Sequence, residues 1–190
     1  MNKTFYRVAV EACANVYKKN IELDMSTEYS YAIKTINGKR YQVIAIAGTD
    51  DLMDMFKNLN LLSWEGIKLS AYNSAKRIMQ DVKLLCNMPV IATGHSLGGI
   101  VAIALKKMYK FIKYCIAFAP ARGLRYWSNR KMKNTVVFTD PNDAVSEWLA
   151  ILSFGLPKCK SFKAKDDHIL PSVSDHKIEK WRRFVSKMVD

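Results

Sequence analysis

The stretch Pro89-Val90-Ile91-Ala92-Thr93-Gly94-His95-Ser96-Leu97-Gly98-Gly99 organises the fold of this chain. A short apolar run rich in β-branched residues leads to a serine flanked by glycines, and residues 100–105 are all apolar. The pattern predicts a strand, a sharp turn and a helix, with the Ser96 hydroxyl raised above the carboxyl end of a sheet. Side chains at Gly94 and Gly98 would collide where strand and helix cross closely, so both positions require glycine.

Upstream of this turn, two β-type runs flank Asn37-Gly38 and predict a hairpin closed by a type I′ turn. A hairpin followed by β-α alternation argues for a mixed, mainly parallel sheet with helices on both faces. Strands are predicted over 29–36, 40–47, 114–119, 135–139 and 158–165. Helices are predicted over 3–19 and about 66–86, where the apolar stripe of the second ends at Leu85, and short helices within 52–62 and 145–152. A last helix is predicted to be capped by Asp175 and to bury Ile178, Trp181, Val185 and Met188.

The 190 residues and an apolar content of 49% are those of one globular domain, residues 1–190, with a sizeable core. No stretch approaches the ~20 apolar residues of a membrane span, and the amino terminus carries no signal-peptide pattern. We therefore expect a cytoplasmic protein, with peripheral membrane association left open. The four cysteines lie apart in apolar settings and are expected to be buried free thiols: Cys13, Cys86, Cys115 and Cys159.

A net charge of +13 is the most unusual bulk property of the chain. Such a field favours anionic partners, above all a phospholipid surface, although a basic surface that serves solubility alone explains it equally well. Nucleic acid is disfavoured because the chain contains no recognised nucleic-acid-binding module. The basic residues cluster modestly at Lys106-Lys107, Arg130-Lys131-Lys133 and 177–187.

A serine attacks an ester only when a base takes its proton, and an acid must orient that base. The chain has three histidines. His95 adjoins the serine and is expected to point away from it as a packing residue. His168 and His176 both follow the last predicted strand, where the order serine, acid, histidine expects the base. His176 is preferred because it lies at the mouth of the last helix, which can fix its position, and His168 is the alternative.

Asp143 is the preferred acid, because it follows the end of strand 135–139 and lies between the serine and either histidine. Asp140 is its rival, but the position before Pro141 suits a residue that starts a turn. An acyl-transfer site also needs an oxyanion hole. Its two donors are predicted to be the backbone N–H of Leu97, directly after the serine, and an N–H at the strand-to-loop junction Gly48-Thr49.

Together these motifs resemble those of the class 3 lipases, which are small α/β-hydrolases. The resemblance covers roughly residues 28–185 and implies an α/β-hydrolase fold in which Thr49 supplies an oxyanion donor. The segments that carry it are Gly94-His95-Ser96-Leu97-Gly98-Gly99, Ala47-Gly48-Thr49 (the family's R-G-T), Phe118-Ala119-Pro120-Ala121-Arg122 (F-G-x-P-R), Asp140-Pro141-Asn142-Asp143-Ala144-Val145 (N-x-x-D-x-V) and Asp175-His176 (a late D-H).

The chain also departs from the family pattern. Ala47 stands where the family has an arginine, which leaves open how the oxyanion loop is anchored. The lid between this loop and the next helix is reduced to about residues 51–64. Asp50 and Asp51 lie beside the predicted hole, where carboxylates oppose an anionic transition state unless they point outward.

The sequence thus predicts a serine carboxylic ester hydrolase (a lipase, phospholipase or general esterase) that acts through an acyl-enzyme on a lipid or small ester. Ser96 is the nucleophile, His176 the base and Asp143 the orienting acid, and no metal or cofactor is implied. The alternative is a catalytically silent hydrolase fold that binds a partner through its basic surface. The acyl chain length, the head group and the oligomeric state are left open.

Overall fold

The computed structural model describes residues 1–17, 28–48, 64–120, 132–139, 160–163 and 177–188, and for 64–68 and 160–163 it describes the backbone alone. Over these residues the chain forms α1 (Lys3–Tyr17), β1 (Tyr29–Ile36), β2 (Lys39–Ile46), α2 (Trp64–Asp81), β3 (Val90–His95), α3 (Leu97–Met108), β4 (Ile112–Phe118), β5 (Thr135–Thr139), β6 (Lys160–Lys163) and α4 (Ile178–Lys187). Every predicted strand is present. The short helices predicted within 52–62 and 145–152 lie outside the described residues.

The six strands form one sheet in the order β1-β2-β3-β4-β5-β6. β1 and β2 pair antiparallel, and all other neighbouring strands are parallel. Asn37 (φ 49°) and Gly38 (φ 76°) connect the antiparallel pair, and positive φ at both positions is what a type I′ turn requires. The predicted mixed, mainly parallel sheet is confirmed.

The strand order follows the chain order, and this decides where the connecting helices lie. Right-handed crossovers that all advance in one direction place their helices on the same face of the sheet. α2 and α3 accordingly pack together on one face, over Ile44 and Ile46 of β2 and Ala92 of β3. The buried side chains of α2 include the predicted ones, Ala71, Ala75 and Ile78.

The opposite face is covered by the first and last helices, α1 and α4, which contact each other. α1 runs in the direction of the parallel strands. Its Phe5 ring lies 5.0 Å from that of Tyr41 near the start of β2, whereas Cys13 contacts Thr93 near the end of β3. Helices therefore cover both faces, as predicted, and the carboxyl end of α1 lies at the carboxyl edge of the sheet. None of the described helices has the length and apolar character needed to cross a bilayer.

The first turns of α4 lie at this same carboxyl edge. Trp181 is fully buried, and its ring centroid is 6.3 Å from that of Phe118 and 6.1 Å from that of Phe138. The prediction that Asp175 caps this helix was wrong. The N-cap residue is Lys177, whose extended backbone (φ −68°, ψ 143°) precedes Ile178 and which makes no side-chain cap hydrogen bond.

Gln42 closes the amino edge of the sheet with a complete set of hydrogen bonds. Its side chain is fully buried beside Val90, the first residue of β3. The amide oxygen accepts from the Tyr31 hydroxyl (2.8 Å) and from the Leu85 N–H (2.6 Å). The amide nitrogen donates to the carbonyls of Leu85 (3.0 Å) and Met88 (2.9 Å). One side chain on β2 therefore fixes the loop between α2 and β3.

Two sequence predictions about this loop were wrong. α2 ends at Asp81, so Leu85 does not continue its apolar stripe and is 48% exposed. The reason is that the Leu85 backbone turns toward Gln42 instead of continuing the helix. Cys86 is exposed in the same loop, against the prediction of a buried thiol. Cys13 and Cys115 are buried and free, as predicted, and Cys159 lies outside the described residues.

Candidate active site

Ser96 occupies a strained turn between the last residue of β3 and the first residue of α3. Its backbone has φ 55° and ψ −125°, a conformation that non-glycine residues rarely adopt because the side chain crowds the backbone. Two backbone hydrogen bonds hold it there: the Ser96 N–H donates to the Phe118 carbonyl (3.0 Å), and the Gly99 N–H donates to the Ser96 carbonyl (3.0 Å). The predicted elbow of strand, sharp turn and helix is present.

The glycines around Ser96 clear the space that the turn needs. A Cβ at Gly94 would overlap the backbone of Gly98, which is the collision between strand and helix that the sequence predicts. A Cβ at Gly98 would lie 2.5 Å from the Ala47 carbonyl oxygen. The second glycine is therefore required mainly by the carboxyl end of β2, which the sequence analysis did not anticipate.

The Ser96 hydroxyl is buried but not used by the fold. The residue is 1% exposed, and within the described part of the chain its Oγ has no hydrogen-bond partner. A serine at a helix N-cap ordinarily accepts a bond from an N–H of the first turn, yet Ser96 makes no such bond to α3. An unsatisfied buried hydroxyl costs about 1–3 kcal/mol and calls for an explanation outside packing.

The loop that follows β2 lies directly against this turn. A Cβ at Gly48 would be 2.7 Å from the Ser96 Cβ and 3.2 Å from the Leu97 backbone nitrogen. Leu97 is the first residue of α3, so its N–H has no acceptor within the helix. Gly48 and the Leu97 N–H are therefore neighbours, next to the Ser96 side chain. Thr49, the predicted second oxyanion donor, is the next residue in the chain and lies outside the described residues.

His95 points to the α1 face of the sheet, away from Ser96, as predicted. It is 4% exposed, and its Nδ1 lies 2.8 Å from the hydroxyl oxygen of Tyr17, the last residue of α1. The same hydroxyl accepts a hydrogen bond from the Gly48 N–H, at 2.8 Å. Sequence reasoning missed Tyr17, because it lies outside the apolar stripe of α1 and its partners are far away in the chain.

The Cys13 thiol, one turn before Tyr17 on α1, is not a second nucleophile. Its Sγ lies 3.3 Å from the Thr93 Oγ1, and burial raises the pKa of the Cys13 thiol to about 12. The thiol therefore stays protonated near neutral pH, whereas the thiolate is the reactive form of cysteine. Among the described residues of this region, Ser96 is left as the candidate nucleophile.

The remaining predicted site residues, Asp143, His176 and the alternative His168, lie outside the described residues, as does Asp140. Their described neighbours do reach the edge of the sheet that carries Ser96. β5 ends at Thr139 and pairs with β4, which pairs with β3. α4 begins two residues after His176, and its Trp181 packs at the carboxyl ends of β4 and β5.

No protein-family model and no curated protein matches the chain. Among solved structures it is similar to the Lip2 lipase from Yarrowia lipolytica (16% identity, TM-score 0.43, 64% of this chain and 57% of that chain). It is also similar to a CIB-like hydrolase from Thermoplasma acidophilum (16% identity, TM-score 0.40, 86% and 99%) and to a YdeN-like hydrolase from Pectobacterium atrosepticum (15% identity, TM-score 0.33, 62% and 68%).

The fold is a mixed, mainly parallel sheet with helices on both faces. The chain spans 57% of the length of the Lip2 lipase. Because all three TM-scores are below 0.5, these likenesses carry no argument about activity or substrate. Any account of the chemistry has to come from the site itself.

Proposed function

We propose that this protein is a serine carboxylic ester hydrolase that acts through an acyl-enzyme, with Ser96 as its nucleophile. The observation that carries the proposal is the state of this residue. A buried serine is held at φ 55°, and its Oγ has no partner within the described residues. The fold thus bears the cost of a strained backbone and an unsatisfied hydroxyl, and both costs are explained if the hydroxyl is reserved for a reaction.

In the proposed reaction, the Ser96 Oγ attacks the ester carbonyl carbon while His176 takes the hydroxyl proton. The bond from Oγ to carbon forms, the carbonyl oxygen becomes an oxyanion, and the bond to the alcohol oxygen then breaks as His176 returns the proton to that oxygen. Water, deprotonated by the same histidine, next attacks the acyl-enzyme and releases the carboxylic acid. Asp143 orients the imidazole and stabilises its charged form without taking the proton.

The described residues support the preference for His176 over His168. Lys177, the residue after His176, starts α4, and Ile178 is buried in the core beneath that start. The Trp181 ring lies beside that of Phe118, whose carbonyl accepts the Ser96 N–H. His176 is separated from this anchored turn by Lys177 alone, and this supports its assignment as the base. His168 lies eight positions further from the anchor.

The backbone around Gly48 supports the proposed oxyanion hole. Donors are effective when they are already aimed at the position where the negative charge develops. The Leu97 N–H lies at the amino end of α3, where the helix dipole adds to its field. Gly48, the last described residue of the loop after β2, packs against the same turn. We assign the second donor to the N–H of the next residue, Thr49.

A fluorophosphonate probe tests this function directly. It should label the protein covalently at one serine, and Ser96→Ala should abolish both the labelling and the hydrolysis of a short p-nitrophenyl ester. Labelling that persists in the variant would exclude Ser96 as the nucleophile. An unaltered protein that neither reacts with the probe nor hydrolyses the ester would favour the catalytically silent alternative.

The class 3 lipase resemblance and the charge of +13 lead us to propose lipid esters at an anionic surface as the substrate class. α4, which begins at the catalytic edge, exposes Lys177, Arg183 and Lys187. Lys106, by contrast, donates its ammonium protons to the carbonyls of Ile112 and Lys113, at 2.7 and 3.1 Å, and so is held within the fold.

Vesicle binding distinguishes a functional basic surface from one that only confers solubility. Binding to anionic vesicles should exceed binding to neutral ones and fall with salt, because each basic residue near the surface contributes about 1 kcal/mol. Replacing Lys177, Arg183 and Lys187 by glutamine should weaken binding by at least about 10-fold. The matched control removes the same charge from the exposed hairpin residues Lys34, Lys39 and Arg40. Equal losses in both triple variants would show that only net charge matters.

A further inference from the structure

The Tyr17 hydroxyl joins three parts of the chain that the sequence does not connect. It lies at the end of α1, it accepts a hydrogen bond from the Gly48 N–H at 2.8 Å, and it lies 2.8 Å from His95 Nδ1 at the end of β3. The Tyr17 and His95 rings meet edge to face, with centroids 5.7 Å apart and planes at 72°. The hydroxyl is thus held in position by Gly48 and His95 and by ring packing.

A backbone N–H can only donate, so the Tyr17 oxygen is the acceptor toward Gly48. The direction of the 2.8 Å contact between the Tyr17 hydroxyl and His95 Nδ1 depends on the imidazole tautomer. We assign the tautomer with the proton on Nε2, in which Tyr17 donates to Nδ1 and His95 orients the tyrosine oxygen toward Gly48.

Gly48 is fixed from two sides as a result. The Tyr17 hydroxyl holds its nitrogen, and the serine turn lies against its α-carbon, where a Cβ would come within 2.9 Å of the His95 carbonyl oxygen. A glycine has no side chain with which to anchor a loop, so its backbone groups must do so. The sequence left this anchor unexplained, because Ala47 stands where the resembling family has an arginine.

We propose that Tyr17 is a positioning residue of the oxyanion loop, held in its working orientation by His95. The hydroxyl holds the Gly48 N–H, and the serine turn confines the Gly48 α-carbon. Together these contacts restrain the residue that precedes Thr49, whose N–H we have assigned as the second donor. This inference rests on the proposed function, since it concerns the second donor of the same hole. Tyr17 does not act on the substrate itself: its effect reaches the reaction through the backbone of Gly48.

Tyr17→Phe removes the hydroxyl and keeps the ring, and Tyr6→Phe is the matched control. Tyr6 lies on the same helix and is buried, and its hydroxyl donates to the Met1 carbonyl at 3.5 Å. Loss of a whole oxyanion donor costs about 10²–10³ in kcat. Because a misdirected donor retains part of its effect, Tyr17→Phe should lower kcat on a short p-nitrophenyl ester by roughly 10- to 100-fold. Its KM should change less than about 2-fold.

Two further measurements separate positioning from a general loss of stability. The inhibition constant of an alkyl boronic acid should rise in Tyr17→Phe by about the same factor as kcat falls, because the tetrahedral adduct on Ser96 places an oxygen in the hole. His95→Asn keeps an acceptor near the position of Nδ1 and should retain most of the activity, whereas His95→Leu should behave like Tyr17→Phe.

The outcomes are distinct. If Tyr17→Phe turns over as fast as Tyr6→Phe, or loses activity only through a raised KM, the positioning role is wrong while the proposed function stands. If His95→Asn and His95→Leu lose activity equally, the acceptor at Nδ1 does not aim the hydroxyl. If the unaltered protein does not hydrolyse the ester at all, both the proposed function and this inference are overturned.

Discussion

Gln42 and Ser96 are two buried polar side chains at opposite edges of the same sheet, and the fold treats them in opposite ways. At the amino edge, the Gln42 amide makes four hydrogen bonds, to Tyr31, Leu85 and Met88. At the carboxyl edge, the Ser96 Oγ has no partner among the described residues, and its backbone is strained. The Oγ1 of Thr135, at the start of β5, is also buried without a partner among the described residues. What distinguishes Ser96 is therefore the combination of an unpaired hydroxyl with a strained backbone, on which the proposed function rests.

The strained edge depends on the ordered one. A residue at positive φ persists only where its surroundings determine its conformation more strongly than its own preference does. Around Ser96 this is achieved by two backbone hydrogen bonds and by glycines that let β2, β3 and α3 approach closely. Gln42 contributes at a distance, because it ties the start of β3 to β2 and so fixes the strand that ends at the serine.

The largest effect is expected when the carboxyl edge loses its base. His176→Ala should lower kcat on a short p-nitrophenyl ester by about 10³-fold or more, since Ser96 then lacks a proton acceptor. His168→Ala, its control, should cost far less. Both variants should unfold at the same urea concentration as the unaltered protein. The opposite order of activities would assign the base to His168.

A smaller effect, on the stability of the whole fold, is expected from filling the space between Gly94 and the backbone of Gly98. Gly94→Ala places a methyl group into the backbone of Gly98, which cannot move aside, so it should lower the free energy of unfolding by about 3 kcal/mol or more. Gly38→Ala is the matched control, since a Cβ there meets nothing within 4 Å but the residue has φ 76°. It should cost only about 1–2 kcal/mol. Urea denaturation of both variants measures the difference. Equal losses of unfolding free energy would mean that the backbone around Ser96 relaxes to accommodate the methyl group.

The third prediction compares variants in which each of the two buried polar side chains, Gln42 and Ser96, is replaced by an apolar one. Gln42→Leu leaves the Leu85 N–H and two carbonyls without the amide, so it should cost about 2–3 kcal/mol of unfolding free energy, while turnover per folded molecule falls far less than in Ser96→Ala. Ser96→Ala should abolish turnover and leave the protein about as stable, because no described residue bonds to its hydroxyl. Chemical denaturation alongside active-site titration tests both. A loss of stability in Ser96→Ala would show that the hydroxyl serves the fold.

Local sequence signals predicted this fold well. The Asn37-Gly38 turn and the glycines around Ser96 act through their own backbone geometry, and the structure shows both where they were expected. The failures concern contacts between distant segments. The Leu85 backbone leaves its helix for Gln42, 43 positions away, and Tyr17 meets His95 across 78 positions. The hydrophobic periodicity of a short stretch of sequence cannot predict such a distant partner, because it shows only which face of a helix or strand is apolar.

The two aromatic rings on which Trp181 rests have a consequence for biosynthesis. Phe118 and Phe138 are stacked with centroids 4.9 Å apart, and α4, which covers them, follows β1 to β5 in the chain and is therefore synthesised after them. Strands β1 to β5 can pair in order of synthesis, because each adds to the outer edge of the previous one. A nascent chain that has reached β5 but not α4 therefore presents this aromatic pair to water, and transiently exposed apolar surface of that kind is prone to aggregation. Burial of the aromatic pair thus waits for the synthesis of α4.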